Sequence, residues 1–142
     1  MGAGGEVVGY IAFAAVKYVG YSATATILNR AYGTQKNIWK VGLVRTGIGV
    51  LFGAAFGGAW MYLSHHYPPN VADPILTWLF FAPLLPIRLV EWGLLIHLFF
   101  DSGLVQRRKD LEYAAYGIVW SFVLDALGIV FAFVVPGGFW VC

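Results

Sequence analysis

Charged residues are scarce in this sequence. Asp, Glu, Lys and Arg make up only 11% of the 142 residues, whereas 60% are hydrophobic, and the mean hydropathy is +0.74. A soluble domain carries about 25% charged residues. The few basic residues are spread between apolar stretches, so they do not form the basic surface that nucleic-acid-binding domains present. The composition therefore predicts an integral membrane protein without a nucleic-acid partner.

Cysteine is almost absent as well. The single residue, Cys142, forms no internal disulfide and builds no cysteine-based metal site. The adjacent histidines His65 and His66 lack the four-ligand spacing of a structural zinc site. The sequence contains no phosphate-binding loop, no serine nucleophile elbow and no HExxH motif. We therefore predict no metal, no dedicated cofactor and a non-enzymatic role, while a lipid, quinone or pigment ligand stays open.

Long apolar runs are present instead. Four stretches, at about 7–28, 41–63, 75–100 and 113–135, are long enough to cross a hydrocarbon core, which takes about 20 helical residues. The connectors RAYGTQKN, HHYPPNVAD and DSGLVQRRKDLE are short and polar. Short connectors make consecutive helices antiparallel neighbours. The pattern predicts a single all-α domain over residues 1–142, an integral membrane four-helix bundle of up-down topology.

Lysine and arginine cluster in two of the three connectors. The segments 30–40 and 101–112 carry six of the nine basic residues, whereas the two terminal tails and the middle connector carry none. Cytoplasmic loops are enriched in Lys and Arg. We therefore expect both basic loops in the cytoplasm and both termini outside. The short loops and the lack of a basic targeting segment favour a prokaryotic plasma (inner) membrane.

Two features concern individual helices. Pro74, Pro83 and Pro86 fall in the first half of the third span and predict a kinked third helix. In the second span, glycine recurs every four residues, at Gly49, Gly53 and Gly57. Such a face allows close helix packing, either within the monomer or between subunits.

Arg45 lies four residues before Gly49, on the same face of the second span and near its cytoplasmic end. A long basic side chain near a helix end can reach the membrane surface with its charged group while its methylene groups stay in the apolar region. We therefore expect Arg45 to extend toward the cytoplasmic surface.

Four charged residues fall at similar depth within the spans. Lys17, Arg88 and Asp125 lie near the middle of spans one, three and four, and Glu91 is three residues past Arg88 on the same face. A central charge costs about 2.5–3.5 kcal/mol on insertion scales. We therefore expect either two pairs, Lys17 with Asp125 and Arg88 with Glu91, or one four-member network. Ser121, one turn before Asp125, is expected to hydrogen-bond into this polar intramembrane site. Tyr21 and Thr24 of the first span are expected to do likewise.

A second polar pair is predicted at the cytoplasmic edge of the third span. His97 and Asp101 are four residues apart and share a helix face. A histidine beside a carboxylate can cap a helix, bind a metal or act as an acid–base group. The cap is the interpretation that the sequence favours.

The intramembrane charges suggest a function in transport. Ionisable residues within spans mark ion and substrate pathways by default. We expect a channel-like or transporter-like protein for an ion or small solute, acting as a homo-oligomer because four helices enclose little space. The alternative is an accessory subunit of a larger membrane complex, whose charges pair helices. A third is a membrane enzyme with a lipid substrate, using Glu91 or the pair of His97 and Asp101. The expected partners are membrane lipid and either further copies or another membrane protein.

Overall fold

A computed structural model of the chain describes residues 3–66, 78 and 82–134. Within them lie four helices: α1 (Ala3–Tyr32), α2 (Ile38–His66), α3 (Leu84–Phe99) and α4 (Arg107–Val134). Each helix packs against its neighbours in the chain, and α1 also packs against α4, which closes a ring of four. The prediction of an all-α, four-helix bundle with antiparallel contacts is confirmed.

The turn between α1 and α2 is ordered by two asparagines. Gly33 adopts the left-handed conformation after α1 (φ 64°), which a residue without Cβ accommodates at no steric cost. Asn29 Nδ2 donates to the carbonyl of Lys36 over 2.8 Å. Asn37 Oδ1 accepts from the N–H of Trp39 over 3.0 Å and so caps the first turn of α2. These bonds fix the angle at which the chain reverses.

Helix α4 begins with three basic residues, Arg107, Arg108 and Lys109, at the helix end that the backbone dipole makes positive. The charge of Lys109 is stabilised by two contacts with the end of α1: its Nζ donates to the carbonyl of Ala31 over 2.6 Å and lies 4.4 Å from the centre of the Tyr32 ring. Ala31 is in the last turn of α1, where carbonyls lack helical partners and favour a cation. The contact ties the start of α4 to the end of α1.

Two prolines of the third span mark the start of α3. Pro83 directly precedes α3, and Pro86 lies in its first turn, where the missing N–H removes no helical hydrogen bond. Pro74 and most of the segment before Ala82 lie outside the described residues. The predicted kink stays a prediction for that segment.

The tightly packed core lies in the half of the bundle next to the α1–α2 and α3–α4 turns. Its buried residues come from all four helices: Tyr21, Ala25, Leu28, Val41, Trp92, Leu95, Ile96, Ala114 and Leu124. Tyr21 and Trp92, on helices that face each other across the ring, meet edge to face with centroids 5.9 Å apart. Long aromatic side chains therefore fill the centre, which the helix backbones leave open.

The glycines that allow close packing are not those the sequence singled out. A Cβ added at Gly117 would overlap the Trp92 ring, and one added at Gly20 would overlap Leu124. A Cβ added at Gly42 of α2 would likewise overlap Ser22 of α1. By contrast, a Cβ at Gly57 would meet no atom of the described residues within 4 Å. In the described part of the chain, close approach therefore depends on Gly20, Gly42 and Gly117 and not on Gly57. A role for the Gly49, Gly53 and Gly57 face in association stays a prediction.

Within the described residues, two segments have the length and composition to cross a bilayer, Val8–Tyr32 and Ile38–His66. Large apolar side chains also point outward on every helix, including Ile11, Leu51, Val90 and Val119. These features of length, composition and exposure suggest a membrane setting.

Replacing Gly117 by Ala should destabilise the bundle by about 1–3 kcal/mol, because the new methyl group must displace the rigid Trp92 ring. Thermal unfolding in detergent, followed by Trp fluorescence, measures the effect. Gly47→Ala is the control, since a Cβ there meets no described atom within 4 Å. Equal stability of the two variants would contradict the packing described above.

Candidate functional site

Five charged side chains, contributed by all four helices, meet beside the core. They are Lys17 of α1, Arg45 of α2, Arg88 and Glu91 of α3, and Asp125 of α4. We call this group the charge cluster. The structure thus brings the four predicted charges together and adds a fifth, Arg45, which was not predicted to belong to the group.

The contacts form one continuous chain of ion pairs. Lys17 Nζ lies 2.6 Å from Asp125 Oδ1, and Arg88 Nη2 donates to Asp125 Oδ2 over 2.8 Å. Arg88 Nη1 lies 3.4 Å from Glu91 Oε2, which also accepts from Arg45 Nη2 over 2.7 Å. Arg88 therefore bridges both carboxylates. The geometry corresponds to a network rather than to two separate pairs.

The expectation that Arg45 reaches the membrane surface is wrong. Its side chain is completely buried and points into the bundle, where it pairs with Glu91. Arg45 lies seven residues after Ile38, which is about 10 Å along the helix at 1.5 Å per residue. The side chain extends from there toward the centre because Gly49, one turn later, leaves space for Nη1, which lies 3.2 Å from a Cβ placed there.

Two aromatic rings enclose the Arg45 guanidinium. Its central carbon lies 4.7 Å from the centre of the Tyr21 ring and 4.9 Å from that of Trp92. Ring faces attract cations and so replace part of the lost hydration. Two of its nitrogen atoms, Nε and Nη1, are buried without a hydrogen-bond partner in the described part of the chain. The guanidinium is therefore only partly satisfied.

Ser121 lies at this aromatic end of the charge cluster. Its Oγ accepts from Trp92 Nε1 over 3.0 Å, while Tyr21 Oη and Arg45 Nη2 each lie 3.4 Å away. Ser121 was expected to hydrogen-bond into the polar site, and it contacts the charge cluster through Arg45. It lies where Tyr21, Trp92 and Arg45 converge, so it joins the helices that face each other across the ring.

Exposure increases from one end of the charge cluster to the other. The Arg45 and Glu91 side chains are 0% and 3% exposed, whereas those of Lys17 and Asp125 are 11% and 14% exposed. Arg88, between them, is 9% exposed. The cluster thus has a dry end at Arg45 and a more accessible end at Lys17, where the ammonium also lies 4.5 Å from the Phe13 ring centre.

His97 and Asp101 are not brought together. Asp101 Oδ2 accepts from the N–H of Gln106 over 2.9 Å, and its Oδ1 lies 3.4 Å from the N–H of Gly103. His97 is exposed, and no ion pair joins it to Asp101 in the described residues. The backbone N–H groups, that of Gln106 foremost, hold the pKa of the Asp101 carboxyl below its ordinary value. Asp101 therefore orders the α3–α4 turn.

The residues that the sequence interpretation missed are Arg45, as a member of the charge cluster, and Trp92. One signal for Arg45 was present: it lies one turn before Gly49, whose missing side chain leaves space beside the guanidinium. Trp92 carried no comparable signal, because aromatic residues are common throughout this chain. Tyr21 was expected to hydrogen-bond into the polar site, and its hydroxyl lies 3.4 Å from Ser121 Oγ.

The fold and the charge cluster together define a four-helix bundle with a buried network of ion pairs. Comparison of the chain with protein-family models, curated proteins and solved structures gives no significant match. Among the described residues no group of three or more His, Cys, Asp or Glu side chains is placed to hold a metal ion. The chemistry of the cluster therefore has to be inferred from its own geometry.

Replacing Glu91 by Gln should destabilise the protein by about 3–5 kcal/mol, because it leaves the buried Arg45 guanidinium without its anion. Denaturant unfolding in micelles measures this change. Glu112→Gln removes a carboxylate from an exposed i,i+4 pair with Arg108 and should cost less than about 1 kcal/mol. The double variant Arg45→Met, Glu91→Leu should recover much of the loss. If Glu91→Gln destabilised the protein no more than Glu112→Gln does, the ion pair of Arg45 with Glu91 would not be shielded from water.

Replacing Asp101 by Asn should lower the melting temperature at neutral pH, because Asn lacks the charge that the backbone N–H groups stabilise. Since the pKa of Asp101 is lowered on folding, its contribution is present above about pH 4 and disappears as the pH falls through the folded-state pKa. Melting curves of parent and variant should therefore converge in acid. A difference that instead changed between pH 6 and 7 would indicate coupling to a histidine, for which His97→Gln is the control.

Proposed function

We propose that this chain is a small integral membrane protein whose charge cluster is the binding site on a pathway for an ion or small solute. An anion is the class of solute that the cluster fits best. The observation that carries the proposal is the fully buried Arg45 guanidinium, because two of its nitrogen atoms have no acceptor in the described part of the chain.

The membrane setting is supported by the apolar exterior of the helices and by the two spans of sufficient length. A soluble monomer rarely exposes apolar patches larger than a few hundred Å². The basic segments 30–40 and 101–112 meet at one end of the bundle, through the contact of Lys109 with Ala31. We place this end in the cytoplasm and both termini outside, in a prokaryotic plasma membrane.

The preference for an anion follows from hydrogen-bond chemistry. Arginine keeps its proton at every physiological pH, so its N–H groups can only donate. A donor buried without an acceptor is unfavourable by about 1–3 kcal/mol, and more when it is charged. A halide or a carboxylate at Arg45 Nη1 would relieve this cost. Gly49 supports the idea, since a side chain there would begin 3.2 Å from Nη1 and would compete with the anion for this position.

Access to the cluster fits a pathway that enters at Lys17. The side chains of Lys17 and Asp125 are the most exposed of the five, and Arg88 connects them to the dry end. A solute exchanging places with Asp125 on Arg88 and Lys17 would pass from one cation to the next. Such stepwise replacement of partners avoids leaving a charge unpaired in an apolar region.

A second candidate function is that of an accessory subunit in which the charges hold helices together. The observation that favours it is that three of the four ion pairs join different helices, so that every helix is linked to another. Under this proposal the glycine face at Gly49, Gly53 and Gly57 contacts a partner, whereas the transport proposal uses it for a homo-oligomer.

Flux through liposomes tests the transport proposal. Purified protein is reconstituted, and efflux of chloride, nitrate or acetate is measured under a potassium–valinomycin clamp. We expect flux of at least one of these anions above that of protein-free liposomes. Lys17→Gln and Arg88→Gln should lower it at least tenfold, because each removes a cation from the pathway. Arg108→Gln is the matched control, since Arg108 is exposed and lies outside the cluster.

Three results would contradict this proposal. They are no flux of any of the three anions, unchanged flux in Lys17→Gln, and selective potassium flux without the ionophore. The accessory-subunit proposal predicts an inert parent protein, aggregation of Lys17→Asp, and recovery of a monodisperse protein in the double variant Lys17→Asp, Asp125→Lys. Size-exclusion chromatography of the same variants separates the two candidates.

A further inference from the structure

A cleft of about 380 Å³ lies between α3 and α4 and the turn that joins them, and no residue of the charge cluster is in its lining. Apolar residues form most of its lining, among them Leu89, Gly93, Leu104 and Leu111. The side chains of Leu89 and Leu111 are largely exposed, and a Cβ added at Gly93 would meet no described atom within 4 Å. The cleft is therefore an open apolar groove on the outer surface of the bundle.

One end of this groove is polar and carries both signs of charge. Asp110 and Arg107, three residues apart in the first turn of α4, both line it. Asp110 is only 6% exposed. Its Oδ1 accepts from Tyr32 Oη over 2.6 Å, whereas its Oδ2 is buried without a hydrogen-bond partner in the described part of the chain. A carboxylate oxygen held in this way lacks the donor that buried polar atoms normally have.

We propose that this groove binds the headgroup of an aminophospholipid. The primary ammonium donates to Asp110 Oδ2 after a small opening of the groove, and the phosphate pairs with Arg107. The first carbons of an acyl chain lie along Leu89 and Leu111. The inference rests on the membrane location proposed above, and it is independent of the transport proposal.

Charge complementarity selects this occupant. A zwitterionic headgroup carries a cation and an anion a few ångströms apart, as the polar end of the groove does with the signs reversed. A primary ammonium has three N–H donors, whereas a trimethylated one has none. The apolar walls favour a lipid over a free amine, because they offer contact only to hydrocarbon. The basic end of the bundle, at which the groove opens, is also where headgroups would lie.

Native mass spectrometry of the delipidated full-length protein tests the proposal. The probes are dioctanoyl phosphatidylethanolamine, phosphatidylcholine and phosphatidylglycerol. We expect phosphatidylethanolamine to bind at least tenfold more tightly than phosphatidylcholine. Asp110→Asn should abolish this preference, although its amide oxygen can still accept from Tyr32. Glu112 is an exposed carboxylate on the same helix, and the variant Glu112→Gln should retain the preference for phosphatidylethanolamine. Arg107→Gln should weaken the binding of phosphatidylethanolamine and of phosphatidylcholine to the same extent, because both lipids carry the phosphate.

The proposal is overturned if the parent protein binds the two zwitterionic lipids equally, or if Asp110→Asn keeps the preference. It is also overturned if phosphatidylglycerol binds most tightly and its affinity is the same in Asp110→Asn as in the parent protein. The basic residues alone would then explain the binding of lipid. If phosphoethanolamine at millimolar concentration displaces phosphatidylethanolamine from the protein, the acyl chain does not contribute to binding, and that part of the proposal is wrong. Thermal unfolding of Asp110→Asn in detergent verifies that the variant is folded. Loss of anion flux in liposomes leaves these lipid measurements unaffected, so the two proposals fail separately.

Discussion

A guanidinium group does not lose its proton inside a protein, so Arg45 keeps its charge although its side chain is wholly buried. Everything around it compensates for this charge. Glu91 supplies the anion, Tyr21 and Trp92 supply ring faces, and Ser121 adds a polar oxygen. These groups come from three other helices than the one that carries Arg45. The burial of one permanent charge thus fixes how the four helices are arranged about the centre of the bundle.

The remaining charges extend this arrangement toward the more exposed side. Arg88 touches both carboxylates, so the two halves of the charge cluster cannot change independently. A dry ion pair favours a fixed structure, because separating it leaves a buried charge. A partly exposed pair can exchange partners at lower cost. The gradient of exposure from Arg45 to Lys17 therefore combines a rigid anchor with a site that a solute could reach, as the transport proposal requires.

The basic end of the bundle depends on different interactions. Lys109 and Asp110, adjacent in the first turn of α4, both reach the end of α1, one through the Ala31 carbonyl and the other through the Tyr32 hydroxyl. These contacts hold α4 against α1 at the end of the bundle that carries the basic segments 30–40 and 101–112. They also leave one Asp110 oxygen without a donor beside an apolar groove. The proposed lipid site is thus a consequence of how the two helix ends are joined.

The sequence by itself determined the helix count, the antiparallel order and the meeting of four charges, because apolar length, short connectors and the cost of unpaired charge are local or additive quantities. Only the tertiary structure decided where Arg45 points, which glycines allow close packing, and that Asp101 accepts backbone N–H groups instead of pairing with His97. Each of these depends on which helix faces lie opposite one another. Helical spacing shows that Arg45 and Gly49 share a face, but not that Glu91 lies across from them. That pairing exists only once the helices are packed.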